Sequence, residues 1–117
     1  MESTYDKIQY YELEPKEKDK LIAKLKGILA KEERIKLAVL FGSATRRSYF
    51  RDIDVAIQAS PELSFREFLN LNAQIELEVG VPVDLVDLAN LAEPFKTSIL
   101  KSGRLLKGKT RKTSAQP

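Results

Sequence analysis

The run from Ile35 to Gln58, IKLAVLFGSATRRSYFRDIDVAIQ, consists of two apolar segments joined by a short polar link. The first segment ends at Gly42-Ser43. The second opens with Asp52 and Asp54, one residue apart. A parallel crossover needs about a dozen residues or more, usually a helix, and the link has no room for one. The two segments therefore pair as antiparallel strands. On the second strand Ile53, Val55 and Ile57 share one face, and Asp52, Asp54 and Ala56 share the other.

The flanking sequence supplies the rest of a small domain. A helix is predicted from Glu14, with Pro15 in a first helical position and Leu21, Ile22, Leu25, Ile28 and Leu29 on one face. After a turn at Pro61, Ser64-Phe-Arg-Glu67 has the form of a capping box and opens a helix through about Glu78. Phe65, Phe68, Leu69, Ala73 and Ile75 are its expected core contacts, and Gly80 closes it. Val81–Leu88 reads as a third strand, with Pro82 starting it or placing it at an edge. A last helix is expected from about Leu91 to Lys101, ended by Gly103. Arg104–Lys107 reads as a short fourth strand, and residues 108–117 as a disordered basic tail. Residues 1–13 form an arm without a clear period, and the sequence leaves the role of Tyr5, Tyr10 and Tyr11 open, packing or arm residues being the plainer reading and sites of self-modification the other. The expected fold is α+β, a small mixed sheet with helices over one face, and the folded domain runs from 14 to 107.

Composition narrows the chemistry. The 117 residues are 43% hydrophobic and 32% charged, the balance of one globular domain. There is no cysteine and no histidine, which excludes disulfides, thiolate nucleophiles and imidazole ligands. Any metal is then held by oxygen atoms, which points to Mg²⁺, with Mn²⁺ as a substitute, rather than zinc. No stretch has the length of a membrane span and the N-terminus lacks a signal-peptide core, so a cytoplasmic location is the expectation. All 17 acidic residues lie at or before Glu93, while Lys96, Lys101, Arg104, Lys107, Lys109, Arg111 and Lys112 follow it. A basic end of this kind suits nucleic acid or an acidic partner; the plainer reading is a solvated tail.

Asp52 and Asp54 on one side of a strand repel each other, and burying them unpaired is costly. A divalent cation removes that conflict. Asp84 and Asp87 lie on the other acid-bearing strand and, being an odd number of positions apart, face opposite sides of it, so only one of them can join the pair. The remaining one suits a cap before Leu88-Ala89-Asn90. Three carboxylates can hold two Mg²⁺ ions and orient a hydroxyl for in-line attack on phosphorus. Gly42 allows close approach of a phosphate to the backbone and Ser43 offers it a hydroxyl. Arg46 and Arg47 supply charge that can bind phosphate bidentately. No Walker A pattern occurs in the chain.

With these residues in view, FGSATRRSYFRDIDVAI followed by PVDLVDL resembles the minimal nucleotidyltransferases of the DNA polymerase beta superfamily, in particular the MNT antitoxins that partner HEPN toxins. The likeness runs from about Leu21 to Leu106 and includes the late ILKSGRLL. It places Gly42 and Ser43 at the nucleotide-phosphate turn, Arg46 at the arginine of that stretch, and Asp52 and Asp54 at the metal-binding acids. It also selects Asp84 over Asp87 as the third acid. Thr45 and Arg47 stand where small residues are usual, and the loop before Asp52 is shorter and more basic than is common.

The resemblance implies a protein that binds ATP with Mg²⁺, transfers AMP to a hydroxyl and releases pyrophosphate. In the antitoxin branch the acceptor is a tyrosine of the HEPN toxin, as in type VII-like toxin–antitoxin pairs. Two other readings differ in class. One is an antitoxin that neutralises its partner by binding alone, and the other is a nucleic-acid-binding module that uses the basic C-terminal end.

Overall fold

The computed structural model describes residues 11–46 and 49–109. The expectations for Tyr5, Tyr10, Arg47 and most of the basic tail lie outside the described residues. The elements in chain order are β1 (Tyr11–Glu12), α1 (Pro15–Lys31), β2 (Ile35–Phe41), β3 (Tyr49–Phe50), β4 (Ile53–Ala59), α2 (Phe65–Val79), β5 (Val83–Asp87), α3 (Phe95–Ser102) and β6 (Arg104–Lys107). Short 3₁₀ turns follow β2 and β5, at Ser43–Thr45 and Leu88–Asn90.

The main sheet has the order β5-β4-β2-β6. β2 and β4 pair antiparallel, as the short link requires, with Phe41 opposite Asp54. β6 returns antiparallel on the other side of β2. β4 and β5 are parallel, joined through α2, so this half of the sheet is a β-α-β unit. Tyr11 and Glu12, in the arm read as having no clear structure, pair with Tyr49 and Phe50 in a second, two-stranded sheet. The Tyr11 ring stacks on that of Phe50, which is buried. That pairing joins segments far apart in sequence, and no local period announces it.

Helices cover both faces of the main sheet, which corrects the one-face expectation. On one side Ile22, Leu25, Ile28 and Leu29 of α1 and Leu71 and Ile75 of α2 pack on Ala38, Leu40, Ile53, Val55 and Ile57. On the other, Ile99 of α3 and Leu88 pack on Leu37, Val39 and Ala56. The continuous apolar run of β2 serves both sides, as expected of a strand buried on two faces. A register shift between Ile35 and Leu37 lets these two odd-numbered residues face different cores.

The helix ends follow local chemistry. Ser64 Oγ accepts from the Glu67 N–H at 3.1 Å, and Glu67 Oε1 accepts from the Ser64 N–H at 2.8 Å. Glu67 also takes a bidentate bond from Arg34, at 3.2 and 2.9 Å, and these partners hold its carboxyl down at about 2. Gly80 ends α2 in the left-handed conformation, φ 81°. The last helix begins at Phe95 rather than Leu91, because Pro94 restricts the residue before it and provides no N–H. α2 also differs in its inner face. Phe68, Leu71, Ile75 and Val79 point to the core, whereas Phe65 is 77% exposed and Leu69 51%, with Ala73 exposed as well.

At the C-terminal end of α1, Lys107 reaches from β6 to donate to the carbonyls of Leu29 and Glu32, at 2.9 and 2.8 Å. A cation at this end of a helix satisfies orphan carbonyls and complements the helix dipole. Lys107→Met keeps the aliphatic stem and removes both bonds. It should lower unfolding stability by about 2 kcal/mol in urea titration, and an unchanged midpoint would show that the contact contributes nothing in solution.

Candidate functional site

The face of the sheet that carries α3 changes character at one end. Two strand positions before Ala56 comes Asp54, and two before Val86 comes Asp84. Asp54 lies opposite Phe41 of β2 on one side and Asp84 of β5 on the other. One row across the sheet therefore reads Phe41, Asp54, Asp84. The Phe41 ring meets Phe95 of α3 edge-on, with centroids 6.1 Å apart, so the apolar packing of this face stops beside the acids. Asp52 precedes β4 on the same alternation as Asp54. Asp84 is exposed, and Asp52 and Asp54 are partly buried.

Asp54 shows the electrostatic conflict expected of this arrangement. Partial burial, followed by the charges of Asp52 and then Asp84, pushes its carboxyl up from 3.8 to about 6. The charges of Asp52 and Asp84 thus both bear on Asp54. Among the described residues the three carboxylates do not draw together into a closed cluster of acidic ligands, which accords with the repulsion of three like charges. Their hard oxygen donors suit Mg²⁺ or Mn²⁺, and a cation between them would cancel the repulsion on Asp54.

Asp87, left open by strand parity, is placed elsewhere. It pairs with Ile57, and its Oδ1 accepts from the Ala89 N–H at 2.9 Å, capping the turn after β5. This matches the capping role expected of whichever acid did not join the pair.

Gly42 adopts φ 82° and ψ −162°, and a Cβ added there would collide with Asp54 Oδ2. The backbone turn and the carboxylate are in direct contact, so Gly42 is required by both conformation and space. The Gly42 carbonyl accepts from the N–H of Thr45 at 3.2 Å and from its hydroxyl at 2.7 Å, and the Ser43 carbonyl accepts from the Arg46 N–H at 3.0 Å. Thr45, where a small residue is usual, thereby closes the turn. Ala44 is buried and anchors the turn to the core. Ser43 is partly exposed and Arg46 exposed, in the turn that follows β2 beside Asp54 of β4.

A cleft of about 520 Å³ lies toward the other end of β5, lined by Leu63, Phe65, Phe68, Val86 and Asp87 among others. Asp52, Asp54 and Asp84 do not line it, so the row of acids beside Gly42 lies outside this cleft.

Two polar residues of α2 escaped the sequence reading. The Asn72 amide donates to the Val83 carbonyl at 3.1 Å and accepts from the Leu85 N–H at 2.9 Å, while Glu76 Oε2 accepts from the Val83 N–H at 2.8 Å. The available signal was an asparagine one helical turn from both Phe68 and Ile75, on the face that packs inward. Among the described residues no helix is long and apolar enough to cross a membrane.

A mixed sheet with helices on both sides, a glycine turn touching an acid and further acids on the neighbouring strand is the small nucleotidyltransferase fold. The profile of the polymerase beta nucleotidyltransferase family matches residues 23–112. The chain belongs to that family. No curated protein matches it. Among solved structures it is similar to a complex of tri-AMPylated Shewanella oneidensis HEPN toxin with MNT antitoxin, at 23% identity and TM-score 0.66, over 83% of this chain and 77% of that one. It is also similar to a toxin–antitoxin bound to AMP-PNP, at 25% identity and TM-score 0.67, over 80% and 77%. A third is the MntA–HepT toxin–antitoxin, at 23% and 0.59, over 86% and 78%.

Proposed function

We propose that this nucleotidyltransferase moves AMP from ATP onto a hydroxyl, a tyrosine, of a partner HEPN toxin and acts as its antitoxin in the cytoplasm. The observation that carries the reading is the parallel register of Asp54 and Asp84 beside the Gly42 turn. The solved toxin–antitoxin complexes support the choice of partner, and the AMP-PNP complex supports the choice of nucleotide. Residues 14–107 form the catalytic unit.

In this reading Asp52, Asp54 and Asp84 hold Mg²⁺. Bound there, the ion would neutralise phosphate charge and lower the pKa of the attacking hydroxyl. Gly42 lets the triphosphate approach the backbone, Ser43 donates a hydrogen bond to a phosphate oxygen, and Arg46 and Arg47 hold phosphate charge. Asp84, the most exposed of the three acids, faces the acceptor and helps take its proton. The acceptor oxygen forms a bond to the α-phosphorus as the bond from that phosphorus to the bridging oxygen breaks, and pyrophosphate leaves with the electron pair. With no histidine in the chain, a carboxylate and a metal are the available means of activating the hydroxyl. Catalysis consists of positioning and charge neutralisation.

The test is an intact-mass measurement of the protein that co-purifies with tagged chain from its native host, before and after incubation with ATP and Mg²⁺. The partner should gain mass in steps of one AMP, and EDTA should abolish the gain. A partner retained but never modified would turn the reading to an antitoxin that acts by contact.

A further inference from the structure

We infer that Asn72 and Glu76 are positioning residues for the third acid: they hold the outer edge of β5 so that Asp84 stands level with Asp54. The inference rests on the proposed role of Asp84. Among the described residues β5 is the last strand of the sheet on its side, and only β4 pairs with it. In a parallel pair alternate residues turn their N–H and C=O groups toward the neighbour. Asp84 lies between Val83 and Leu85, whose backbone groups turn away from β4. Three of those four outward groups are taken up by α2. The Asn72 amide bonds to the Val83 carbonyl and the Leu85 N–H, and Glu76 takes the Val83 N–H.

A side-chain amide carries one donor and one acceptor in the geometry of a peptide group. Asn72 thus stands where the backbone of a fifth strand would be, bracketing one residue. That residue is Asp84. Its own segment is only five residues long, and an edge strand held on one side alone frays and slips readily. A shift of about 1 Å at a reacting group costs about a hundredfold in rate. Asparagine has poor helix propensity, and in this position, within α2 and facing inward, it is explained by the bonds it makes to the strand. Asp in its place would keep the acceptor and lose the donor; Leu would fill a similar volume and lose both.

The test compares wild type, Asn72→Leu, Asn72→Asp and Asp84→Asn as full chains. Mn²⁺ binding is read by electron paramagnetic resonance, AMP transfer by kcat and KM for ATP, and folding by circular dichroism. Asn72→Leu should remain folded and bind Mn²⁺ about tenfold more weakly, approaching Asp84→Asn. Its kcat should fall about 30-fold with KM for ATP within about threefold of wild type. Asn72→Asp should lie between Asn72→Leu and wild type. A lowered melting temperature with Mn²⁺ affinity and kcat unchanged per folded molecule would overturn the inference, leaving Asn72 a fold residue only. If wild type transfers no AMP but Asn72→Leu still weakens Mn²⁺ binding, the positioning stands and the transfer reading fails. Wild type that binds no Mn²⁺ overturns both.

Discussion

Asp54→Asn should lower AMP transfer about a thousandfold and at the same time make the metal-free protein more stable. On the proposed function, the first effect follows from losing a charged oxygen that would hold the metal at the centre of the acid row, where charge stabilisation of several kcal/mol would be at stake; about 4 kcal/mol corresponds to that factor. The second follows from the electrostatics of the folded chain. Burial and the charges of Asp52 and Asp84 raise the Asp54 carboxyl from 3.8 to about 6. A carboxyl whose pKa is higher folded than unfolded binds its proton more tightly in the folded state, so stability falls as pH rises through that window. The penalty is absent below about 3.8 and fully present above about 6. With screening of a group that is only partly buried taken into account, it amounts to about 1 kcal/mol. The melting temperature of Asp54→Asn should therefore equal that of wild type near the lower pH and exceed it by about 4 °C above the upper one. Saturating Mg²⁺ with ATP should reverse the order, because only wild type gains the full binding energy. Equal melting curves at every pH would remove the conflict among the three acids from the account.

Gly42→Ala should have the opposite signature, with activity and stability falling together. A residue with a Cβ is strained at φ 82°, and here the Cβ also collides with Asp54 Oδ2. Gly80 separates the two causes, since its φ is 81° and a Cβ there meets nothing within 4 Å. Gly80→Ala should lose about 1 kcal/mol from backbone strain and keep its transfer rate. Gly42→Ala should lose about 2–3 kcal/mol and about a hundredfold in kcat, as Asp54 is pushed from its place. The comparison is made by urea titration and steady-state kinetics on both variants. If Gly42→Ala behaves like Gly80→Ala, the contact between the turn and the acid is not what positions Asp54.

The centre of the molecule was legible because its constraints are short-range. A link too short for a crossover made β2 and β4 antiparallel, and period-two alternation placed Asp52 and Asp54 together. Strand parity separated Asp84 from Asp87, although it took a family resemblance to say which one joined the pair. The orientation of α2 was not legible. Phe65, Leu69 and Ala73 lie on one ladder of helical spacing and Phe68, Leu71, Ile75 and Val79 on another, so the period alone selects neither. The choice is made by the sheet, which receives Leu71 and Ile75 and draws Asn72 toward β5. The pairing of Tyr11 and Glu12 with Tyr49 and Phe50 was hidden for a similar reason: two strands of two residues carry no pattern.

The sheet ends differently on its two sides. Beyond β5 the places for a neighbouring backbone are taken by an amide and a carboxylate from α2. On the outer strand β6, Arg104 is exposed and Lys107 is turned to α1. Side-chain occupancy at one border and cationic residues at the other both discourage annexation of a foreign strand. The toxin proposed as partner would therefore have to recognise these two borders by their side chains, and such recognition can diverge between pairs while the row of Asp54 and Asp84 stays fixed.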